Sequence, residues 1–398
     1  MSDGQKIVRL AAKGDGVTAS GKHVAGAVTG DCIDEDGTIM PGPHRVAPPC
    51  RHFPECGGCQ LQHADEAALR TFVTDRVVNA AYGQGLDPLE VLPTHLSPPN
   101  TRRRTTLHAM RTRGHAILGF KIQRSNRIVD LAECHVLRPE LFALVAPLRK
   151  LVARFGGSGP VEISLTLADN GVDCLLGGID IAGLEAAEAV RDFADDNDLA
   201  RLSIDSGYGA ETVWEPMPVT VTLGDVQVGL PLGSFLQPTL DGEHCLVTDA
   251  VNYTEGAASV ADLFAGMGTF AFSLCRQAKV LAVEAARDPY LATKAAANAG
   301  GLPVYAMHRD LFRNSLQPKE LERFDAILLD PPRAGAKEQI GQLARSNVQK
   351  VVYVSCNPSS WARDAKTLTD AGFRLETIRP VGQFRWSTHV ELTSLFVR

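Results

Sequence analysis

The feature that most limits what this 398-residue chain can become is the alternation that begins after Ser259. Apolar runs at 260–264, 280–284, 304–308, 326–330 and 351–355 read as strands, with helical stretches such as 289–299 and 359–371 between them. Strands joined by crossover helices form a mostly parallel sheet covered on both faces, with ligands at the carboxyl ends of the strands. The last two runs, 373–381 and 389–397, have no helix between them and are expected to pair antiparallel at the sheet edge.

Asp262-Leu263-Phe264-Ala265-Gly266-Met267-Gly268-Thr269-Phe270-Ala271 carries the first of these strands through a glycine turn into a helix, and Glu284 ends the next strand. The spacing fits a dinucleotide fingerprint, so a nicotinamide-dependent oxidoreductase is one reading. An acid just before the turn is awkward beside a pyrophosphate. It suits a ligand with a sulfonium and an ammonium group, which favours S-adenosylmethionine, as does the turn's late position in the chain. Glu284 would then accept hydrogen bonds from both ribose hydroxyls.

Val351-Val352-Tyr353-Val354-Ser355-Cys356-Asn357-Pro358 reads as a buried strand that stops and caps a helix. At the end of that strand, the helix N-terminus is expected to favour the Cys356 thiolate. An inert packing cysteine is the alternative. On the preceding strand, Asp330-Pro331-Pro332-Arg333 is similar to the motif of amino-group methyltransferases, but Arg333 stands where their aromatic would be. Exocyclic amine methylation is therefore not expected.

Upstream, short β-like pieces among glycines at 7–47 suggest a small barrel-like module, and the Pro-rich stretch 41–49 reads as a linker. Cys50, Cys56 and Cys59 follow, with Cys134 the next cysteine downstream. Four such thiols suit a tetrahedral zinc or an iron–sulfur cluster. From 101 to 129 the chain carries Arg102, Arg103, Arg104, Arg111, Arg113, Lys121, Arg124 and Arg127 without one Asp or Glu, and looks like a hairpin displaying a phosphate-binding face. The net charge of −6 speaks against indiscriminate nucleic-acid binding, so this local patch is the place for it. Residues 161–230 have an α+β pattern and no catalytic constellation. No run of 18 apolar residues and no signal-peptide core is present, so a cytoplasmic protein with no membrane partner is expected.

Together, the four cysteines, Phe235-Leu236-Gln237-Pro238, the Gly266 turn, Asp330-Pro331-Pro332-Arg333, Ser355-Cys356-Asn357-Pro358 and Thr388-His389-Val390-Glu391 resemble the RNA (uracil-5-)-methyltransferase family, in particular its iron–sulfur branch that modifies 23S rRNA. The resemblance implies an α/β protein in three parts. These are a truncated TRAM-like barrel at 1–47, a central α+β domain at 48–235 bearing the cluster and the basic hairpin, and a Rossmann-like class I methyltransferase domain at 236–398. It implies a [4Fe-4S] cluster on Cys50, Cys56, Cys59 and Cys134, S-adenosylmethionine as methyl donor, and a monomer acting on RNA. Uracil C5 is a poor nucleophile, so a thiolate must first add at C6. Cys356 takes that role and Glu391 removes the C5 proton. Gln237 and Asp330 are expected beside the uracil or the cofactor, with Phe264, Gly266, Gly268, Thr269, Glu284 and Asp310 on the cofactor side. Thr269 stands where the family often has Asn. A tRNA methyltransferase and a non-catalytic iron–sulfur RNA-binding protein are the alternatives.

Overall fold

The computed structural model describes residues 5–123, 125–179 and 181–398, and the following concerns those residues. Arg124, counted above in the basic stretch, lies outside them. The chain forms two compact units, one made of Met1–Phe72, Ser97–Pro218 and Phe384–Thr388, the other of Val73–Leu96, Val219–Gln383 and His389–Arg398.

In the first unit, short antiparallel strands curl into a sheet ordered His23–Val24, Gly16–Thr18, Gln5–Leu10, Cys32–Ile33, Ile39–Met40. Its small core is Ile7, Ala27 and Ile33, with Val24 and Ile39 packed against them. Gly16 is required there, because a Cβ would lie 2.8 Å from that of Ala27. A second sheet is ordered Ala210–Trp214, Leu199–Asp205, Gly171–Gly177, Pro160–Ala168, Arg104–Thr112, His115–Gly119. The last two strands are the hairpin expected from the sequence. Gly171–Gly177 and Leu199–Asp205 run parallel, joined by the crossover helix Leu184–Asp196. Across that pair Asp173 and Arg201 are register partners and form a buried two-pronged ion pair, with both N–O distances 2.8 Å.

The second unit is built on a sheet ordered Val304–His308, Lys279–Glu284, Ser259–Leu263, Ala326–Leu329, Lys350–Ser355, Glu391–Val397, Arg374–Gly382, Glu90–Val91. The first five strands are parallel, and their residues are mostly buried because helices cover both faces. Glu391–Val397 runs antiparallel between Lys350–Ser355 and Arg374–Gly382. The last two strands pair antiparallel as expected, but they do not form the sheet edge. Glu90–Val91 and His95–Leu96, two stubs from far upstream, pair in parallel with Arg374–Gly382 and cover its outer flank. An unpaired flank would leave backbone donors and acceptors bare. Helix Leu240–Tyr253 is capped by Thr239, whose side chain accepts the Gly242 N–H at 3.1 Å. From this helix, buried Asp249 accepts from Arg379 at 2.7 Å and from Thr393 at 2.7 Å, fixing the strand that begins with Glu391.

Candidate active site

Register alone gathers the predicted residues at one edge of the second unit's sheet. Ser355 pairs with Leu392, so the next step along both strands sets Cys356 opposite Glu391. Leu329 pairs with Leu263 and Tyr353, and Asp330 and Phe264 follow one residue on. Glu284 ends the neighbouring strand at the same edge. These ends open on a cavity of about 700 Å³ whose wall includes Gln237, Phe264, Gly266, Thr269, Glu284, Asp330, Cys356 and Glu391. Its size is that of a cofactor site.

The glycine turn is strained where it meets the cavity. Phe264 has φ 65°, rare for a bulky residue, and Gly266 has φ 55°. The Phe264 ring lies 5.4 Å from that of Phe312, and the two make an aromatic wall. Glu284 accepts the Gly266 N–H at 2.8 Å on one oxygen and the Ala286 N–H at 2.6 Å on the other. A second lone pair remains on each oxygen for the vicinal hydroxyls of a ribose.

Three expectations need correction here. Gly268 is not on the wall; at φ 88°, a Cβ would sit 2.7 Å from the Phe272 ring, so this glycine lets the helix approach beneath the turn. Asp310 is not on the wall either. Its carboxylate accepts the Phe312 N–H at 2.9 Å and shapes the loop that carries Phe312. Asp262 lies wholly buried, and burial first, then Asp330 and Glu284, push its carboxyl up to about 8. It is therefore protonated near neutrality rather than an anion awaiting a cation.

The corner carrying Cys356 is held from both sides. Asn357 caps helix Pro358–Asp370 through the Ser359 N–H at 3.2 Å, and its own amide donates to the Arg333 carbonyl at 2.9 Å. Ser360 donates to the same carbonyl at 2.9 Å. Asp330-Pro331-Pro332-Arg333 and Ser355-Cys356-Asn357-Pro358 are thus one hydrogen-bonded structure. The thiolate expected at that helix end is not what its surroundings favour. Burial, then Glu391 and Asp330, push the Cys356 thiol up to about 11, with Arg333 opposing. Burial raises Asp330 to about 7; burial and Asp330 raise Glu391 to about 8. Loss of water around three acidic groups outweighs the partial charge of one helix end.

Sequence patterns did not point to Gln383. Its amide nitrogen donates to Glu391 and, at 2.9 Å, to Gln237 Oε1. Phe312 was missed as well. Neither stands in a motif; only the fold brings Phe312 to the cavity wall and Gln383 against two residues of that wall, Gln237 and Glu391.

In the first unit, Cys50, Cys56, Cys59 and Cys134 line one small cavity together with Phe53, Phe120 and Leu131. Burial and repulsion among these sulfurs raise the thiols, Cys56 to about 11 and Cys59 to about 12. A bound metal centre would reverse this by stabilising the thiolates. Among the described residues, no three His, Cys, Asp or Glu side chains are placed to hold a single metal ion. Arg102 stands next to Cys134 and Cys59, its guanidinium 5.9 Å from the centre of the Phe120 ring and 5.2 Å from that of Phe384. The basic stretch is therefore only partly a surface. Arg103 is buried and Arg102 faces the cysteines, whereas Arg111, Arg113, Lys121 and Arg127 are not buried.

A doubly wound sheet with an antiparallel strand near its edge and a glycine-turn cavity at its carboxyl ends defines a class I S-adenosylmethionine-dependent methyltransferase. Residues 225–398 match the model of the tRNA (Uracil-5-)-methyltransferase family. Over 99% of its length the chain is 49% identical to an uncharacterized RNA methyltransferase of Zymomonas mobilis, all of which it covers. It is 31% identical over 90% of its length to the 23S rRNA (uracil(1939)-C(5))-methyltransferase RlmD of Pectobacterium atrosepticum, covering 82% of that protein. The chain belongs to the RNA (uracil-5-)-methyltransferase family and is an S-adenosylmethionine-dependent enzyme of that activity. The nicotinamide and non-catalytic readings fall away. The fold is also that of the Pyrococcus abyssi tRNA (uracil-54, C5)-methyltransferase solved with S-adenosyl-L-homocysteine, at TM-score 0.76 and 22% identity, over 98% of this chain and 99% of that one. Among the described residues no helix is long and apolar enough to cross a membrane.

Proposed function

We propose that the enzyme, acting as a monomer, forms 5-methyluridine in 23S rRNA with Cys356 as nucleophile and Glu391 as base. The observation that carries this is the placement of Cys356 and Glu391 at neighbouring ends of adjacent strands, both on the wall of one cavity. Similarity to the rRNA enzyme RlmD supports rRNA over tRNA as the target.

S-adenosylmethionine supplies an electrophilic methyl group on a sulfonium. Phe264, Gly266, Thr269 and Glu284 would hold its adenosine end, with Phe312 across the cavity and Asp310 and Gly268 supporting the turn and loop. Cys356 loses its proton to solvent and its sulfur bonds to uracil C6. The C5=C6 pair shifts to C4=C5 and the C4=O pair onto O4, where the Gln237 amide can donate, while Asp330 faces the ring. The enolate pair at C5 then bonds to the methyl group as the sulfonium carbon–sulfur bond breaks, and S-adenosylhomocysteine leaves. The Glu391 carboxylate then accepts the C5 proton, the released pair re-forms C5=C6, and the sulfur–C6 bond breaks to return the thiolate.

Cys50, Cys56, Cys59 and Cys134 line one small cavity, and four thiols gathered in this way would suit a [4Fe-4S] centre. Arg102 would offset the negative charge of such a centre. Arg111, Arg113, Lys121 and Arg127 are the proposed partners of RNA phosphates.

RNA from cells grown with 5-fluorouracil tests the chemistry. Wild type should form an adduct that survives denaturation and Cys356→Ala none; an unchanged adduct in the variant would sink the assignment. Mapping 5-methyluridine in rRNA and tRNA, with and without the protein, decides the target.

A further inference from the structure

The structure assigns to Gln383 a positioning role that sets two orientations at once, the carboxylate of Glu391 and the amide of Gln237, and so links proton removal to the choice of uracil. This rests on the reading of Glu391 as base. Gln237, Gln383 and Glu391 form a row of buried polar side chains, 4%, 2% and 5% exposed. The Gln383 amide has two N–H groups. One is directed to Glu391 Oε2 and the other, at 2.9 Å, to Gln237 Oε1. Its carbonyl faces the Thr239 hydroxyl at 3.5 Å. Once Glu391 is ionised and only accepts, a glutamine amide beside it has one workable orientation, with nitrogen inward.

That orientation passes along the row. Gln237 receives an N–H on its oxygen, which fixes its nitrogen as the donor end of a residue that lines the cavity. A donor there matches uracil O4. Cytosine carries an amino group at that position, and donor would meet donor. At the other end, an N–H on Glu391 Oε2 leaves Oε1 to take the C5 proton. It also steadies the carboxylate against burial and Asp330. The ionisable groups at this corner are Asp330 and Cys356, with Arg333 acting on Cys356.

Room for Gln383 comes from a bare Cα. A Cβ on Gly242, in the first turn of helix Leu240–Tyr253, would lie 2.6 Å from Gln383 Cδ and 2.7 Å from its Oε1. Backbone freedom does not explain this glycine, since its φ is not positive.

Gln383→Met keeps the volume and removes the donors. RNA from cells lacking the protein, tritiated at uridine C5, is the probe, with methyl-labelled S-adenosylmethionine. Methyl incorporation in the first turnover should slow, because the Gln237 donor is no longer fixed, while tritium release slows about tenfold more than that and a methylated adduct accumulates, as expected when a base is mispositioned. The slow step should recover as pH is raised from about 7 to about 9, because a carboxylate without its donor titrates higher. Adduct yield on 5-fluorocytidine RNA relative to 5-fluorouridine RNA should rise. Gly242→Ala, which crowds Gln383 from the other side, should act in the same direction and decides the matter if Gln383→Met no longer binds S-adenosylmethionine by calorimetry. Equal loss of methyl transfer and tritium release, or release at the wild-type rate in both variants, overturns the inference. Glu391→Gln is run in parallel. If it accumulates no adduct, the reading of Glu391 itself fails; if it does and neither other variant does, only the role of Gln383 fails.

Discussion

A thiol at the end of a strand and the start of a helix feels two opposed influences. The helix end favours its anion; the burial and carboxyls around Cys356 disfavour it more. Only the first was legible in Ser355-Cys356-Asn357-Pro358, because Glu391 and Asp330 arrive from other strands. The same limit hid Gln383, a single polar residue with no partner at a recognisable spacing. Cys356, Glu391 and Glu284 were legible because each stands at the end of a strand that can be read locally. As the proposed base, Glu391, raised to about 8, must be a carboxylate to accept the C5 proton. Release of the C5 proton from the methylated adduct should therefore rise with pH towards about 8 and then level. Glu391→Gln should lose that limb while still transferring one methyl group, which rapid-quench assays across pH would show. Asn357→Ala removes both a helix cap and a tether on Arg333. It should cost about 1 kcal/mol in urea unfolding and slow adduct formation, without altering cofactor affinity.

Long elements announced themselves and short ones did not. The parallel strands are apolar runs of four to six residues, so their order along the chain was readable from the sequence. Glu90–Val91 and His95–Leu96 have two residues each, too few for any periodicity, and their pairing with Arg374–Gly382 is a purely tertiary fact. The basic stretch shows a related limit: composition placed eight cations together, but folding turned Arg102 and Arg103 inward. Replacing Arg111, Arg113, Lys121 and Arg127 together by Gln should weaken RNA binding most at low salt. The slope of log affinity against log salt should flatten by about 0.7 for each phosphate that the protein no longer neutralises on a single strand. An unchanged slope would remove this hairpin from the interface. In the crossover sheet, Arg201→Met strands buried Asp173 and should cost about 3 kcal/mol, with Asp173→Leu added to it restoring part of the stability in thermal melts.

At the scale of the molecule, Asp262, Asp330 and Glu391 share one sign of perturbation. Each has a folded-state value above its unfolded one. Their contribution to stability is therefore full in acid, below about pH 4, and is lost as pH rises through about 7 to 8. Melting temperature of the cofactor-free enzyme should fall between about pH 4 and about pH 8, and Glu391→Gln should shallow the fall. S-adenosylmethionine, a cation, should stabilise more at the higher pH than S-adenosylhomocysteine, which lacks the sulfonium charge. The upstream stubs that cover Arg374–Gly382 carry a further consequence. A fragment starting at residue 225, where the family match begins, would keep every cavity-wall residue named above but would leave a naked β-ribbon along one side. Such a fragment would recruit strands from its own copies and precipitate, so shortening this enzyme to its apparent catalytic half would destroy what the shortening was meant to isolate.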